Sequence, residues 1–210
     1  MSLGEIFVTV DEMLQQIDPR VVQCGEVTAL KGIVENNEYH PGTTVYEHTL
    51  DVLYAFGEHY EDLPESFRRG LESEIDGQSC FRLYLTGLLL HDIGKNVTIR
   101  THNGITRAPG HERLGSYLVF CLLSSLGFTL PQVIYVTDIV AYHGLVHHII
   151  KHEHTDLVRD IAPARDTSGD RFAEYVVAGY VDILGSHLEA RNAAKYQRLV
   201  QTYQILLCEE

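Results

Sequence analysis

The chain has 210 residues, 45% of them hydrophobic, and its 16 Lys and Arg against 29 Asp and Glu leave a formal charge of −13. That length fits one domain with a continuous apolar core, and no stretch approaches the ~20 apolar residues that a membrane-spanning helix needs. A field of this sign repels a long nucleic acid, whose phosphates are bound by clustered Lys and Arg.

In chain order, residues 5–17 read as an amphipathic helix ended by Asp18-Pro19. Thr44-Val-Tyr-Glu47 has the form of a capping box and places His48 in the first turn of a helix that runs to about Tyr60. Two further helices are predicted over 66–75 and 80–93. From Ile99 to Thr106 β-branched residues alternate with polar ones around Asn103-Gly104, the strongest short signal for a hairpin turn. Helical periodicity resumes over 112–126, stops at Gly127, and restarts after Pro131 to run as far as Tyr142 or His143. The polar stretch from Gly144 to Gly169, which contains Pro163, reads as a long loop with one short helix. Helices over about 171–190 and 193–207 close the chain. The expected fold class is therefore all-α: one domain over 1–210, a bundle of six to eight helices with a single β-hairpin near residues 98–107.

Cys24, Cys80, Cys121 and Cys208 lie far apart without CxxC spacing, which argues against a zinc knuckle or a disulfide framework and for reduced core cysteines. The N-terminus lacks the basic and apolar regions of a signal peptide, so a cytoplasmic protein is expected.

The most informative residues are His48, His91, Asp92, His111, His143 and Asp182. Each lies in or beside an apolar stretch, at or near a predicted helix end except for Asp182, which lies within a helix. An imidazole buried beside a carboxylate is costly unless something pairs with both. A divalent metal ion does so, and helix ends in a bundle can converge on one such site. Other readings remain open residue by residue. His91 could cap helix carbonyls with Asp92 paired to Lys95, and Asp182 could sit on the wet face of its helix. Between Asp92 and Leu114 the chain concentrates Lys95, Arg100, Arg107 and Arg113 against one acid, Glu112. That is either a locus for a small anionic substrate or a solvated basic loop.

The order His48, His91-Asp92, Asp182 resembles the HD superfamily of metal-dependent phosphohydrolases, and His91-Asp-Ile-Gly-Lys95 matches its most recognisable motif. His111 and His143 resemble the additional ligands of its two-metal branches. The longest local similarity is to the HD domain of bacterial CCA-adding enzymes, where a comparable HDIGK is followed by a Thr/Arg-rich hairpin and Gly-His-Glu, as in residues 98–106 and Gly110-His-Glu112 here. The similarity covers about residues 43–190. The nucleotidyltransferase segment of those enzymes has no counterpart in this chain. The tract from His147 to His154 offers alternative ligands, but His143 ends an apolar helix and is preferred.

The resemblance implies an HD-domain bundle and a pair of divalent transition-metal ions (Mn, Fe, Ni, Co or Zn). His48, His91, Asp92 and Asp182 would hold one ion, and Asp92, as bridge, would hold the second with His111 and His143. Asp92 and Lys95 are then the catalytic residues, and Lys95, Arg100, Arg107 and Arg113 bind the phosphate of a small substrate, expected to be a nucleotide. A homo-oligomer is compatible with this reading; a membrane or a long nucleic acid is not an expected partner. Two other functions carry over from the same superfamily: a di-iron oxygenase of the inositol oxygenase type, and a non-catalytic HD binding or regulatory module.

Overall fold

The computed structural model describes residues 9–150 and 156–208. The first helix, α1 (Val10–Gln16), is capped by Thr9 and Glu12 bonding reciprocally; the earlier part of its predicted span, residues 5–8, lies outside the described residues. Two one-turn helices follow, α2 (Pro19–Val22) and α3 (Gly25–Ala29). Strands β1 (Val34–Asn36) and β2 (Pro41–Thr44) then pair antiparallel and deliver the chain into α4 (Val45–His59). The predicted capping box is present there, with Thr44 and Glu47 each satisfying the other's backbone N–H. After α5 (Glu65–Leu71) comes the two-residue pair β3 (Glu74–Ile75) and β4 (Gln78–Ser79), then α6 (Cys80–Leu90) and the short α7 (Lys95–Thr98). Strands β5 (Arg100–His102) and β6 (Ile105–Arg107) form the predicted hairpin. The remaining helices are α8 (His111–Ser125), α9 (Leu130–Tyr142), α10 (Leu145–Ile149), α11 (Leu157–Ser168), α12 (Phe172–Leu184), α13 (Leu188–Arg191) and α14 (Ala193–Cys208).

Helix α6 is the centre of the bundle. All of its residues except Arg82 are buried, as a helix that is apolar around its whole circumference requires. Helices α4 and α9 pack against it, α12 packs against α4 and α9, and α8 and α14 cover α9 and α12 from outside. One continuous apolar cluster runs from Met13 in α1 through α6 to Tyr203 and Leu206 in α14. Among the described residues, no helix is long and apolar enough to cross a membrane.

Four features depart from the sequence reading. The chain forms three hairpins among the described residues, not one. The turn between β3 and β4 is Asp76-Gly77, with φ of 50° and 77°, the same left-handed pair as Asn103-Gly104 at 50° and 76°. Asp-Gly is as strong a turn signal as Asn-Gly, and it cuts the predicted helix 66–75 short at Leu71. The stretch 144–169 is also more helical than expected. Asp156 caps the twelve-residue α11, which carries Pro163 in its interior and buries Ile161. The helices also outnumber the expected bundle, because several connections coil into single turns. Finally, the four cysteines are free, but only Cys80 is buried; Cys121 and Cys208 are exposed.

Two close approaches bring the helix ends together. A Cβ on Gly94 would run into the carbonyl oxygen of His111 and lie 2.7 Å from the amide nitrogen of Gly115. Only glycine lets the turn after α6 lie flat on the start of α8. A Cβ on Gly185 would come within 2.7 Å of the Val52 amide nitrogen, so glycine also sets how closely the end of α12 meets α4. Gly94→Ala is expected to destabilise the fold by ~1–3 kcal/mol through overpacking, measured as a lowered denaturant midpoint at unchanged m-value. A wild-type midpoint would show that the two segments can separate without loss.

Candidate metal centre

Six side chains converge at the ends of these helices. His48 lies in the first turn of α4, His91 caps the end of α6 with Asp92 beside it, and His111 opens α8. His143 caps the end of α9, and Asp182 lies in the last turn of α12. All six sequence-predicted ligands are therefore brought together. His48, His91, Asp92 and His143 are almost completely buried. Potential ligand atoms of His48, His91 and Asp92 lie within 4.8 Å of one another, as do those of Asp92, His111 and His143, so Asp92 belongs to both groups.

The orientation of the rings is set by backbone carbonyls. Nδ1 of His91 lies 2.8 Å from the Leu88 oxygen, Nδ1 of His111 2.9 Å from that of Ala108, and Nδ1 of His143 2.8 Å from that of Val140. Nδ1 of His48 lies 3.3 Å from the Gly185 oxygen. A carbonyl oxygen only accepts, so in each ring Nδ1 carries the proton and a neutral imidazole presents a lone pair at Nε2. Those lone pairs meet other lone pairs. Nε2 of His48 is 2.9 Å from Asp182 Oδ1 and 3.4 Å from Nε2 of His91. Nε2 of His91 is 3.2 Å from Asp92 Oδ2, and Nε2 of His111 is 3.1 Å from Asp92 Oδ1. Acceptors held this close need shared positive charge between them, as protons or as a metal ion. Imidazoles whose far nitrogen is tied to a carbonyl are the usual second half of a metal ligand.

The electrostatics agree. Burial opposes charge on Asp92, yet Lys95 and His91 hold its carboxyl well below the usual range. Burial likewise opposes charge on Asp182, but its bond to His48 keeps the carboxyl ionised. Burial lowers and Asp92 raises both His91 and His111, and the carboxylate prevails, so both are shifted up. His143 goes the other way: burial, with His91 and His111 beside it, pushes it down to about 4. A neutral His143 and ionised carboxylates are the ligand forms a divalent ion takes.

Lys95 is only 6% exposed. Its ammonium lies 2.7 Å from Asp92 Oδ2 and 2.8 Å from Glu35 Oε2, so two carboxylates already claim it. Arg100, Arg107 and Arg113 are exposed, and none makes a hydrogen bond or ion pair with the cluster. Of the histidine tract, His147 meets the Tyr203 hydroxyl and His148 meets Glu112, while His152 and His154 lie outside the described residues. Among the described residues of that region, His143 is grouped with Asp92 and His111.

Three nearby residues were not among the predicted site residues, although Glu112 belongs to the Gly110-His-Glu112 motif. Glu35, on β1, is 3% exposed. His40, in the turn after it, packs its ring 4.1 Å from that of His48, and burial with the charges of His48 and Lys95 pushes it down to about 2. Glu112 bridges Nδ1 of His111 at 3.3 Å and Nε2 of His148 at 3.0 Å. The stretch Ile33-Val-Glu-Asn-Asn37 shows no hydropathy alternation, and in β1 it is Glu35 that is buried while Val34 and Asn36 are exposed, so no local signal marks this carboxylate as inward.

In comparison with known proteins, no family model and no curated protein matches the chain.

Asp92→Asn, which keeps the shape and removes the charge shared by both groups, should abolish stoichiometric binding of Zn²⁺ or Mn²⁺ as read by metal analysis after gel filtration. Full metal content in that variant would sink the shared-carboxylate site. The raised His91 and His111 also set a pH dependence. In ion-free protein their stabilising contribution is complete below the ordinary imidazole value and disappears as pH rises through their raised values. Ion binding must displace those protons, so apparent affinity should rise with pH over the same window. Calorimetry in buffers of different ionisation enthalpy would detect the released protons.

Proposed function

We propose that the chain is a metal-dependent phosphohydrolase of the HD type, holding two divalent transition-metal ions and cleaving a small phosphoester of the nucleotide class. The observation that carries this reading is the convergence of four imidazoles, their Nδ1 protons tied to carbonyls, on the carboxylates of Asp92 and Asp182. His48, His91, Asp92 and Asp182 would hold one ion, and Asp92, His111 and His143 the other. Mixed nitrogen and oxygen donors suit Mn, Fe, Co, Ni or Zn better than Mg, which favours oxygen shells. Bound there, divalent ions supply Lewis acidity towards a phosphoryl oxygen and activate water at neutral pH.

The chain's own residues support an anionic substrate in two ways. The charge of two divalent ions exceeds that of Asp92 and Asp182, and Glu35 offsets Lys95, so the filled site is positive inside an acidic protein. Access is one-sided: the Asp182 and His111 side chains keep 22% and 17% exposure, while His48, His91 and Asp92 keep 3% or less. Water and substrate therefore approach past Asp182 and His111. The basic hairpin β5–β6 and Arg113 precede or open the same α8 terminus and supply exposed cations for a phosphate.

One observation favours the oxygenase reading as a second choice. Lys95 is paired twice within the protein, so among the described residues the cluster contains no cation left over for a phosphate. Phosphate release from nucleotide phosphoesters and O₂ uptake with polyols, measured on the same iron- and manganese-loaded samples, separate the two. Phosphate release that disappears in the Asp92→Asn variant is the expected outcome. Oxygen consumption without phosphate release would replace the hydrolase with an oxygenase, and the failure of both would leave an HD-type binding module.

A further inference from the structure

The motif lysine has an unexpected partner. Lys95 Nζ is not directed at the open side of the site but lies between Asp92 Oδ2 and Glu35 Oε2, at 2.7 and 2.8 Å. The other oxygen of Glu35 is also occupied, by Asn37 Nδ2 at 3.3 Å. Asn37 Nδ2 in turn reaches Thr106 Oγ1 at 3.4 Å, and the same hydroxyl oxygen accepts from the Asn36 amide at 2.7 Å. The carboxylate of Glu35 is thus fixed from two sides, by the hairpin β5–β6 through Asn37 and by Lys95. The side chains of Glu35, Lys95 and Asp92 are 4%, 8% and 3% exposed, so water contributes almost nothing to holding the three charges in place.

We propose that Glu35 is a positioning residue for Lys95, keeping its ammonium buried beside Asp92 while Asp92 is committed to the ions. This rests on the cation-site reading of the cluster. The physical requirement is charge balance: an ammonium buried next to metal ions is repelled by them, and a carboxylate already shared by two ions holds it weakly. A second carboxylate on its far side restores a neutral pair that tolerates burial. Through Glu35, the β1 strand and the hairpin β5–β6 become part of the site, although neither supplies a ligand.

The test uses the full-length protein, loaded with Zn²⁺ or left ion-free, as wild type, Glu35→Gln and Glu35→Asp. Lysines are acylated briefly under native conditions, and mass spectrometry reads modification at Lys95, with Lys31 and Lys195 as internal references; metal content and thermal midpoint are recorded on the same samples. Wild-type Lys95 should be protected. Glu35→Gln, which keeps the shape of the side chain, should raise Lys95 modification about tenfold in the loaded protein, equivalent to a hold weakened by ~1.4 kcal/mol. It should leave the reference lysines unchanged, and Glu35→Asp should restore part of the protection. A loaded Glu35→Gln protein that protects Lys95 as well as wild type overturns the proposal, as does a reactive Lys95 in the wild type. Increased labelling at all three lysines would report general loosening and also count against it. If the wild type takes up no metal, the cation-site reading fails separately, and the ion-free comparison alone then decides whether Glu35 holds Lys95.

Discussion

The structure depends on the neutralisation of Asp92. Its side chain is 3% exposed and has Lys95, His91 and His111 against it, with His48 at 3.6 Å. A buried carboxylate without partners costs several kcal/mol, comparable to the stability of a whole domain. Its partners come from the first turn of α4, the end of α6, the short α7 and the start of α8, and His143 arrives from the end of α9. These elements must dock in one arrangement for the charge to be satisfied. That requirement ties the bundle to its site, and it ties the site to positive charge.

The location of the candidate ligands at helix ends has a specific cause. The last carbonyls of a helix lack partners within the helix. At α6 and α9 an imidazole at the cap folds back on the carbonyl three residues upstream, satisfying that orphan oxygen and locking its own ring in one move. The same contact that completes the helix therefore aims Nε2 at the site. His111 does this from the other direction, closing the turn before α8 on Ala108. Gly94 and Gly185 then allow the termini to approach closely enough for the rings to meet.

The hairpins serve the centre indirectly. Hairpin β5–β6 lies against β1 through Thr106 and Asn36, and β1 carries Glu35 to Lys95. His40, on the connection between β1 and β2, covers the outer face of His48. The polar residues of these strands thus hold one buried cation, Lys95, and pack against His48, while Arg100 and Arg107 of the hairpin stay exposed.

Much of this was legible in the sequence. Periodicity marked the long helices, the Thr44–Glu47 box marked the start of α4, and Asn103-Gly104 marked its turn, because each signal acts through backbone conformation within a few residues. The six ligand candidates were also legible, since His and Asp in apolar surroundings demand partners wherever they occur. Asp76-Gly77 was equally readable and shows the same left-handed geometry. Helix α11 was obscured by Pro163 and a polar composition, which lower local helix preference without forbidding a helix that buries Ile161 against the core. What only the tertiary structure decided is how charges are shared over distance. The sequence offered Lys95 either as a cation for phosphate or as a partner of Asp92; the Asp92 pair is present, and Glu35, sixty positions earlier, claims the same ammonium as well. The sequence determines which groups carry charge; which of them are buried together, and so which must cancel, is determined by the packing of segments that no local pattern connects.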